Sequence, residues 1–175
     1  MLYQAVRYEP GWNGRDKDFR QRRPKPGGGW LYNLDGVRRV LYRLPELLDA
    51  DRNLPVFVVA GEKDADTLFA LNLVATTNVC GERAEWLDGY SAALAGRNVV
   101  VIEDRDSAGR RHAHEVCGSL MCRARSVRRL ALPGAKDATA FVIALRRNGV
   151  DTPAELREIL LDNVNEAARW EPAAA

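Results

Sequence analysis

Two patterns of apolar residues divide the chain. From residue 55 onward, short unbroken apolar runs alternate with stretches whose apolar residues recur every three or four positions. Val56-Phe57-Val58-Val59-Ala60 is one such run, and its length and composition predict a strand covered on both faces. Lys63 to Asn72 predicts a helix with Ala65, Leu68 and Phe69 on one side. Leu73 to Thr77, Asn98 to Glu103 and Ser126 to Leu132 predict three further strands. Cys80 to Tyr90 reads as a loop with a helical turn, and Ser91 to Ala95 as a short helix. Ser107 to Cys122 predicts a long helix, N-capped by Ser107, with Ala113, Val116, Cys117 and Leu120 turned inward. Ala138, Phe141, Val142 and Leu145 mark one stripe of another. Thr152-Pro153-Ala154-Glu155 is a capping box that starts a last helix, whose buried face is Leu156, Ile159 and Leu160. Glu171 to Ala175 reads as a frayed tail or the start of a linker. Strands that alternate with helices imply a parallel sheet with right-handed crossovers.

Before residue 55 the texture differs. Leu2 to Tyr8, Lys17 to Arg22 and Trp30 to Asn33 read as short strands, separated by Gly11, Gly14 and the run Gly27-Gly28-Gly29. They predict a small antiparallel hairpin or meander, too poor in apolar residues to be stable alone. Leu44 to Asp49 predicts a short helix with Pro45 in its first turn, followed by a break at residues 51–55. The expected organisation is a β-rich subdomain over 1–54, an α/β domain over 55–150, and a C-terminal helix and tail over 151–175.

Composition adds exclusions. The 175 residues are 46% hydrophobic and 29% charged, as in ordinary globular proteins. No apolar run approaches the roughly 18 residues of a membrane span. Gln4 and Arg7 interrupt the N-terminus, which is therefore not read as a signal peptide, and a cytoplasmic location is expected. Cys80, Cys117 and Cys122 form no C-x-x-C pair and predict reduced, mostly buried thiols.

The net charge is only +2, but Arg15, Lys17, Arg20, Arg22, Arg23 and Lys25 stand close together among glycines and aromatics. Such clustering suits phosphate contacts, and Phe19 and Trp30 suit either base stacking or the hairpin's own small core. Arg123, Arg125, Arg128 and Arg129 form a second group, equally compatible with a solvated face.

Candidate chemistry lies at strand ends, where open α/β sheets bind ligands. The first strand runs out into Ala60-Gly61-Glu62-Lys63-Asp64, the third into Glu103-Asp104-Arg105-Asp106-Ser107-Ala108-Gly109. Asp104 and Asp106, two apart, can turn their carboxylates the same way, and a divalent cation relieves the repulsion. The competing reading has Asp104 ending the strand and Asp106 capping the helix.

Three segments together carry a resemblance: residues 58–66 (VVAGEKDAD), residues 75–77 (ATT) and residues 104–110 (DRDSAGR). They resemble the TOPRIM domain of phage and plasmid primase-helicases, a fold shared by bacterial primases and by type IA and II topoisomerases. Residues 6–8, 18–24 and 39–45 resemble the segment that precedes TOPRIM in such proteins. The resemblance implies a TOPRIM-like (Rossmann-like) α/β fold, with a four-stranded parallel sheet, helices on both faces and a small β-rich segment in front. It implies Mg²⁺ or Mn²⁺ held by Asp104 and Asp106, with Glu62 as a third carboxylate and a catalytic candidate. Lys63, Arg110 and Arg111 would lie near phosphates, and Arg20, Arg22, Arg23 and Lys25 along a nucleic-acid backbone. Lys136-Asp137 matches a later polar motif. The implied partners are single-stranded DNA or a DNA/RNA primer-template, and a helicase or other replication protein. Primases of this group use the metal for nucleotidyl transfer.

Two departures matter. Ala60 stands where the family has a Glu, and Arg105 sits between the two aspartates. A methyl group binds no metal and moves no proton, and Glu62 lies about 6–7 Å further along an extended chain. The alternative function is therefore a non-catalytic TOPRIM-derived module or decoy acting on nucleic acid or on a replication or defence protein. Response-regulator and haloacid-dehalogenase-like readings rank below both, because each needs acidic residues after the first strand.

Overall fold

The computed structural model describes residues 2–81 and 84–171. The tail expected beyond Glu171 lies outside the described residues, as do residues 82 and 83 of the loop after Cys80. No described helix is long and apolar enough to cross a membrane. The chain divides into two compact units, residues 1–39 and residues 40–175.

The first unit is an antiparallel sheet of β1 (Gln4–Tyr8), β2 (Asp18–Pro24) and β3 (Trp30–Leu31), in that order. The β2–β3 turn carries Gly27, Gly28 and Gly29 at φ of 86°, 108° and 84°, a succession of positive values that only glycine adopts without strain.

The second unit contains α1 (Leu44–Asp49), β4 (Pro55–Val58), α2 (Glu62–Phe69), β5 (Val74–Thr76), α3 (Asp88–Ala93) and β6 (Asn98–Ile102). It continues with α4 (Ser107–Leu120), β7 (Ser126–Leu130), α5 (Ala138–Arg147) and α6 (Pro153–Glu166). The four strands are all parallel, in the order β5-β4-β6-β7. This is the architecture the alternation implied. The unbroken apolar run of β4 has a direct cause, because both sheet faces are covered. Val56 and Val58 face a core with Tyr90, Val99, Val101, Val116 and Leu120. Phe57 and Val59 face the other, with Leu68, Val100, Phe141, Leu156 and Leu160. Each such side chain contributes about 1.5–3 kcal/mol by leaving water.

Both sheet edges are covered, which blunts strand-to-strand aggregation. Beside β5, the Tyr42 N–H donates to the Thr77 carbonyl (2.9 Å) and the Thr76 hydroxyl to the Tyr42 carbonyl (2.6 Å). Beside β7, the Trp170 N–H donates to the Val127 carbonyl at 2.9 Å.

The helix starts correct one expectation and bear out another. Asp106, not Ser107, caps α4: its backbone is extended and its carboxylate accepts the Gly109 N–H at 2.7 Å. A carboxylate one residue earlier both reaches the free N–H and opposes the positive helix end, so it displaces the serine. The capping box at Thr152 and Glu155 is complete. The cysteines also differ from expectation. Cys117 is buried, and its thiol is pushed up to about 12 by that burial. Cys80 and Cys122 are exposed, and both lie outside the regular elements.

His112 is buried in α4 beside the Trp86 ring, and its Nε2 has no hydrogen-bond partner. Burial holds its pKa below the ordinary 6.5, with Glu115 opposing weakly. The unfolded chain therefore binds this proton more readily than the folded one. Its contribution to stability is fully present above pH 6.5 and is lost as pH falls through the depressed folded value. The urea midpoint should fall between pH 7.5 and pH 5.5 by more in the wild type than in His112→Phe; equal slopes would refute the assignment.

Candidate metal and nucleic-acid site

The strand ends of β4 and β6 lie side by side, because Val58 pairs with Val101 in parallel register. The residues just past each strand set the chemistry there. After β4 the chain passes through Ala60 and Gly61 into α2, whose N-cap is Gly61 with no side-chain cap. Glu62 is half-buried in the first turn and Lys63 is exposed. Asp64 is engaged with the next helix: its Oδ1 accepts the Thr139 N–H (2.8 Å) and hydroxyl (2.6 Å), tying α2 to α5.

After β6 come Glu103 and Asp104. Glu103 is bound by the Arg129 guanidinium, whose Nε donates at 2.5 Å. Asp104 is half-buried and packs against the start of α4 so closely that a Cβ on Gly109 would lie 2.5 Å from the Asp104 Cβ. Asp106 is the helix cap described above. Arg110 folds over the same turn, donating to the Arg105 carbonyl at 3.0 Å. The Arg105 N–H in turn donates to the Lys136 carbonyl (3.0 Å), which brings Lys136-Asp137 to this strand end. Asp137 caps α5 through the Ala140 N–H at 2.6 Å. Arg111 is exposed one residue further along α4.

The floor under Ala60 was not legible in the sequence. Gly81, at φ 53°, comes so close that a Cβ there would lie 1.9 Å from the Ala60 carbonyl oxygen. Asn78, almost wholly buried, donates to the Gly81 carbonyl at 2.9 Å, while its Oδ1 has no partner. The approach of Gly81 to Ala60 joins positions 21 residues apart, so no spacing rule could have found it.

Among the described residues, no group of three or more His, Cys, Asp or Glu side chains is placed to hold a metal ion. Asp106 already spends one oxygen on the helix cap. The donor set therefore does not fit a metal centre closed by protein alone, and a cation there would need phosphate and water ligands of its own, as Mg²⁺ commonly takes.

The later arginine group makes contacts within the fold, with Arg128 and Arg129 half-buried and Arg123 and Arg125 exposed. Arg123 pairs with Asp88 at 2.5 Å, Arg125 reaches Asn53 at 3.3 Å, Arg128 donates to the Ala167 carbonyl, and Arg129 pairs with Glu103. The partners lie far away in sequence, so clustering alone does not show them.

In the N-terminal unit, strand alternation separates the candidate phosphate contacts. Arg20 and Arg22 share one face of β2, and Arg23 points to the other, where its Nε donates to Asn33 at 2.9 Å. Lys25 is exposed at the β2–β3 turn.

Known proteins place the fold. The catalytic core of the DnaG primase superposes with a TM-score of 0.60 at 19% identity, over 96% of this chain and 54% of that one. The chain has the primase-type TOPRIM fold. The DnaG catalytic domain solved with ssDNA bound gives a TM-score of 0.59 at 18% identity, covering 96% and 52% of the two chains. The primase fragment of the bacteriophage T7 primase-helicase gives 0.50 at 21% identity, covering 93% and 62%. The chain thus spans about half the length of the DnaG structures it matches, 54% and 52%. No protein-family model and no curated protein matches the sequence.

Proposed function

We propose that this chain is a nucleic-acid-binding TOPRIM domain of a primase-like replication protein from a mobile element, with its phosphoryl-transfer chemistry curtailed. One observation carries the reading: β4 delivers the Ala60 methyl, not a carboxylate, to the strand end beside Asp104 and Asp106. Glu62 does not gather with the two aspartates into a three-ligand group. What is left is Asp104 and Asp106 on a segment whose neighbours in the fold carry Lys63, Arg110, Arg111 and Lys136, a charge balance that suits holding a phosphate backbone more than reacting on it. Mg²⁺ or Mn²⁺ would join Asp104 and Asp106 as a companion of bound phosphate. On this reading residues 1–54 serve as the nucleic-acid-binding subdomain, 55–150 as the TOPRIM domain and 151–175 as its C-terminal helix and tail. The partner would be single-stranded DNA or a DNA/RNA primer-template, within a cytoplasmic replication complex that includes a helicase. The DnaG catalytic domain, which shares the fold, has been solved bound to ssDNA.

Two measurements test it. Calorimetry should show little Mg²⁺ uptake by the protein alone and clear uptake once an oligonucleotide is present. That second signal should vanish in an Asp104→Asn/Asp106→Ser variant, where serine keeps the helix cap. Template-directed primer synthesis should be absent from the wild type. Robust synthesis that depends on Asp104 would overturn the curtailed-chemistry reading, and unchanged Mg²⁺ uptake by the variant would remove the cation from it.

A further inference from the structure

We propose that one face of the N-terminal sheet, built from Trp12, Arg20, Arg22 and Trp30, is the surface on which single-stranded nucleic acid lies. The proposal names the contact surface for the nucleic-acid binding proposed above and rests on that reading.

Charge is the first argument. Residues 1–39 hold nine Lys and Arg against four Asp and Glu, so this unit carries +5 of a chain whose total is only +2. The positive charge of the protein is therefore concentrated in this unit, and the remainder is acidic.

Geometry then selects a face. Gln4 pairs with Arg22, Val6 with Arg20, and Tyr8 with Asp18, so all six share one side of the sheet. Trp30 pairs with Pro24 and joins them. On this side the Arg20 guanidinium lies over the Trp12 ring and that of Arg22 over the Trp30 ring, each 4.1 Å from the centroid. Tyr8 packs on Trp12 at 4.4 Å between ring centroids. No ion pair among the described residues involves Arg20 or Arg22. Arg22 also donates from Nε to the Gln4 amide oxygen at 2.9 Å, so Arg20 is the less engaged of the two. A guanidinium held over an indole has its long side chain already ordered and can still offer N–H groups to phosphate. Residues two apart on a strand are about 6.8 Å apart, so the two stations repeat along the sheet as an extended backbone requires. Trp12 is 42% exposed and Trp30 36%, ample for stacking a base.

On the opposite face Arg7 pairs with Glu9 at 2.5 Å, Arg23 donates to Asn33 at 2.9 Å, and the exposed aromatic, Phe19, has no arginine over its ring. The combination of guanidinium groups without ion-pair partners and half-exposed indoles fits a polymer that alternates anionic and flat aromatic groups.

Fluorescence anisotropy of a labelled oligothymidylate with the full chain tests this. Arg20→Ala/Arg22→Ala should weaken binding by tenfold or more, Arg20→Lys/Arg22→Lys by less, and Phe19→Ala/Arg23→Ala on the far face by under threefold. Binding should quench tryptophan emission, and Trp12→Phe/Trp30→Phe should abolish most of the quench while Trp86 and Trp170 remain. Equal losses from both faces, or an unchanged quench in the double-Phe variant, would overturn the surface while leaving nucleic-acid binding intact. Polyglutamate bound as tightly as the oligonucleotide would overturn it in favour of an acidic protein partner. No oligonucleotide binding by the wild type would overturn the function proposed above as well.

Discussion

Replacing Arg97 by Met should cost about 3 kcal/mol, the sum of several lost charge-assisted hydrogen bonds less the desolvation no longer needed. Arg97 is only 2% exposed, yet the described residues offer it no carboxylate. Its guanidinium instead donates to three carbonyls, those of Leu47 (2.5 Å), Ala50 (3.0 Å) and Asp51 (2.8 Å). These are the open carbonyls at the end of α1 and in the loop that enters β4, so one side chain caps a helix and fixes a strand start. Burial lowers its pKa, as desolvation of a cation requires, but a guanidinium stays charged throughout the range where proteins are studied. Methionine fills a similar volume and leaves all three carbonyls dry. For a chain of this length the melting temperature should drop by about 6–12 °C. Lysine, with three donors but no planar fork, should recover part of the loss. A loss below about 1 kcal/mol would mean that water reaches those carbonyls and that Arg97 is not what holds the loop.

The elements were readable in the sequence to the extent that their causes are local. The β4 run, the stripe of α5 and the Thr152 capping box depend on residues within a few positions of one another, and each appears where the pattern puts it. The α4 start shows the limit even there. Ser107 and Asp106 are both good caps, and only the backbone path decides that the aspartate reaches the Gly109 N–H. At the site, the sequence displays which residues end β4 and β6, so the substitution of Ala60 is visible without coordinates. It does not display what each charge is spent on. Arg129 looks like part of a basic patch and is the partner of Glu103. Asp64 looks like a member of the acidic cluster and is bound to Thr139, 75 residues away. Long-range pairing of this kind leaves no periodic mark.

The second large effect is expected at Gly81. An Ala there must occupy the left-handed region at φ 53°, and its Cβ would sit 1.9 Å from the Ala60 carbonyl oxygen. The backbone strain and the forced displacement together should cost about 3–5 kcal/mol. No flexible side chain can swing away, because the obstructing atom is backbone. Gly109 provides an internal comparison. It lies in a helix, where Gly→Ala ordinarily stabilises by about 1 kcal/mol. Here the new Cβ would meet the Asp104 Cβ at 2.5 Å and its carbonyl oxygen at 2.8 Å, so the sign should reverse. The two glycines thus hold the two strand ends at which the proposed cation and phosphate would sit. Urea denaturation of the single variants measures the costs, and Mg²⁺ uptake with oligonucleotide shows whether the strand ends have moved. If Gly81→Ala proves as stable as the wild type, the end of β4 is free to shift. The methyl of Ala60 would then no longer mark a fixed gap in the site, and the argument that chemistry is curtailed there would lose its footing.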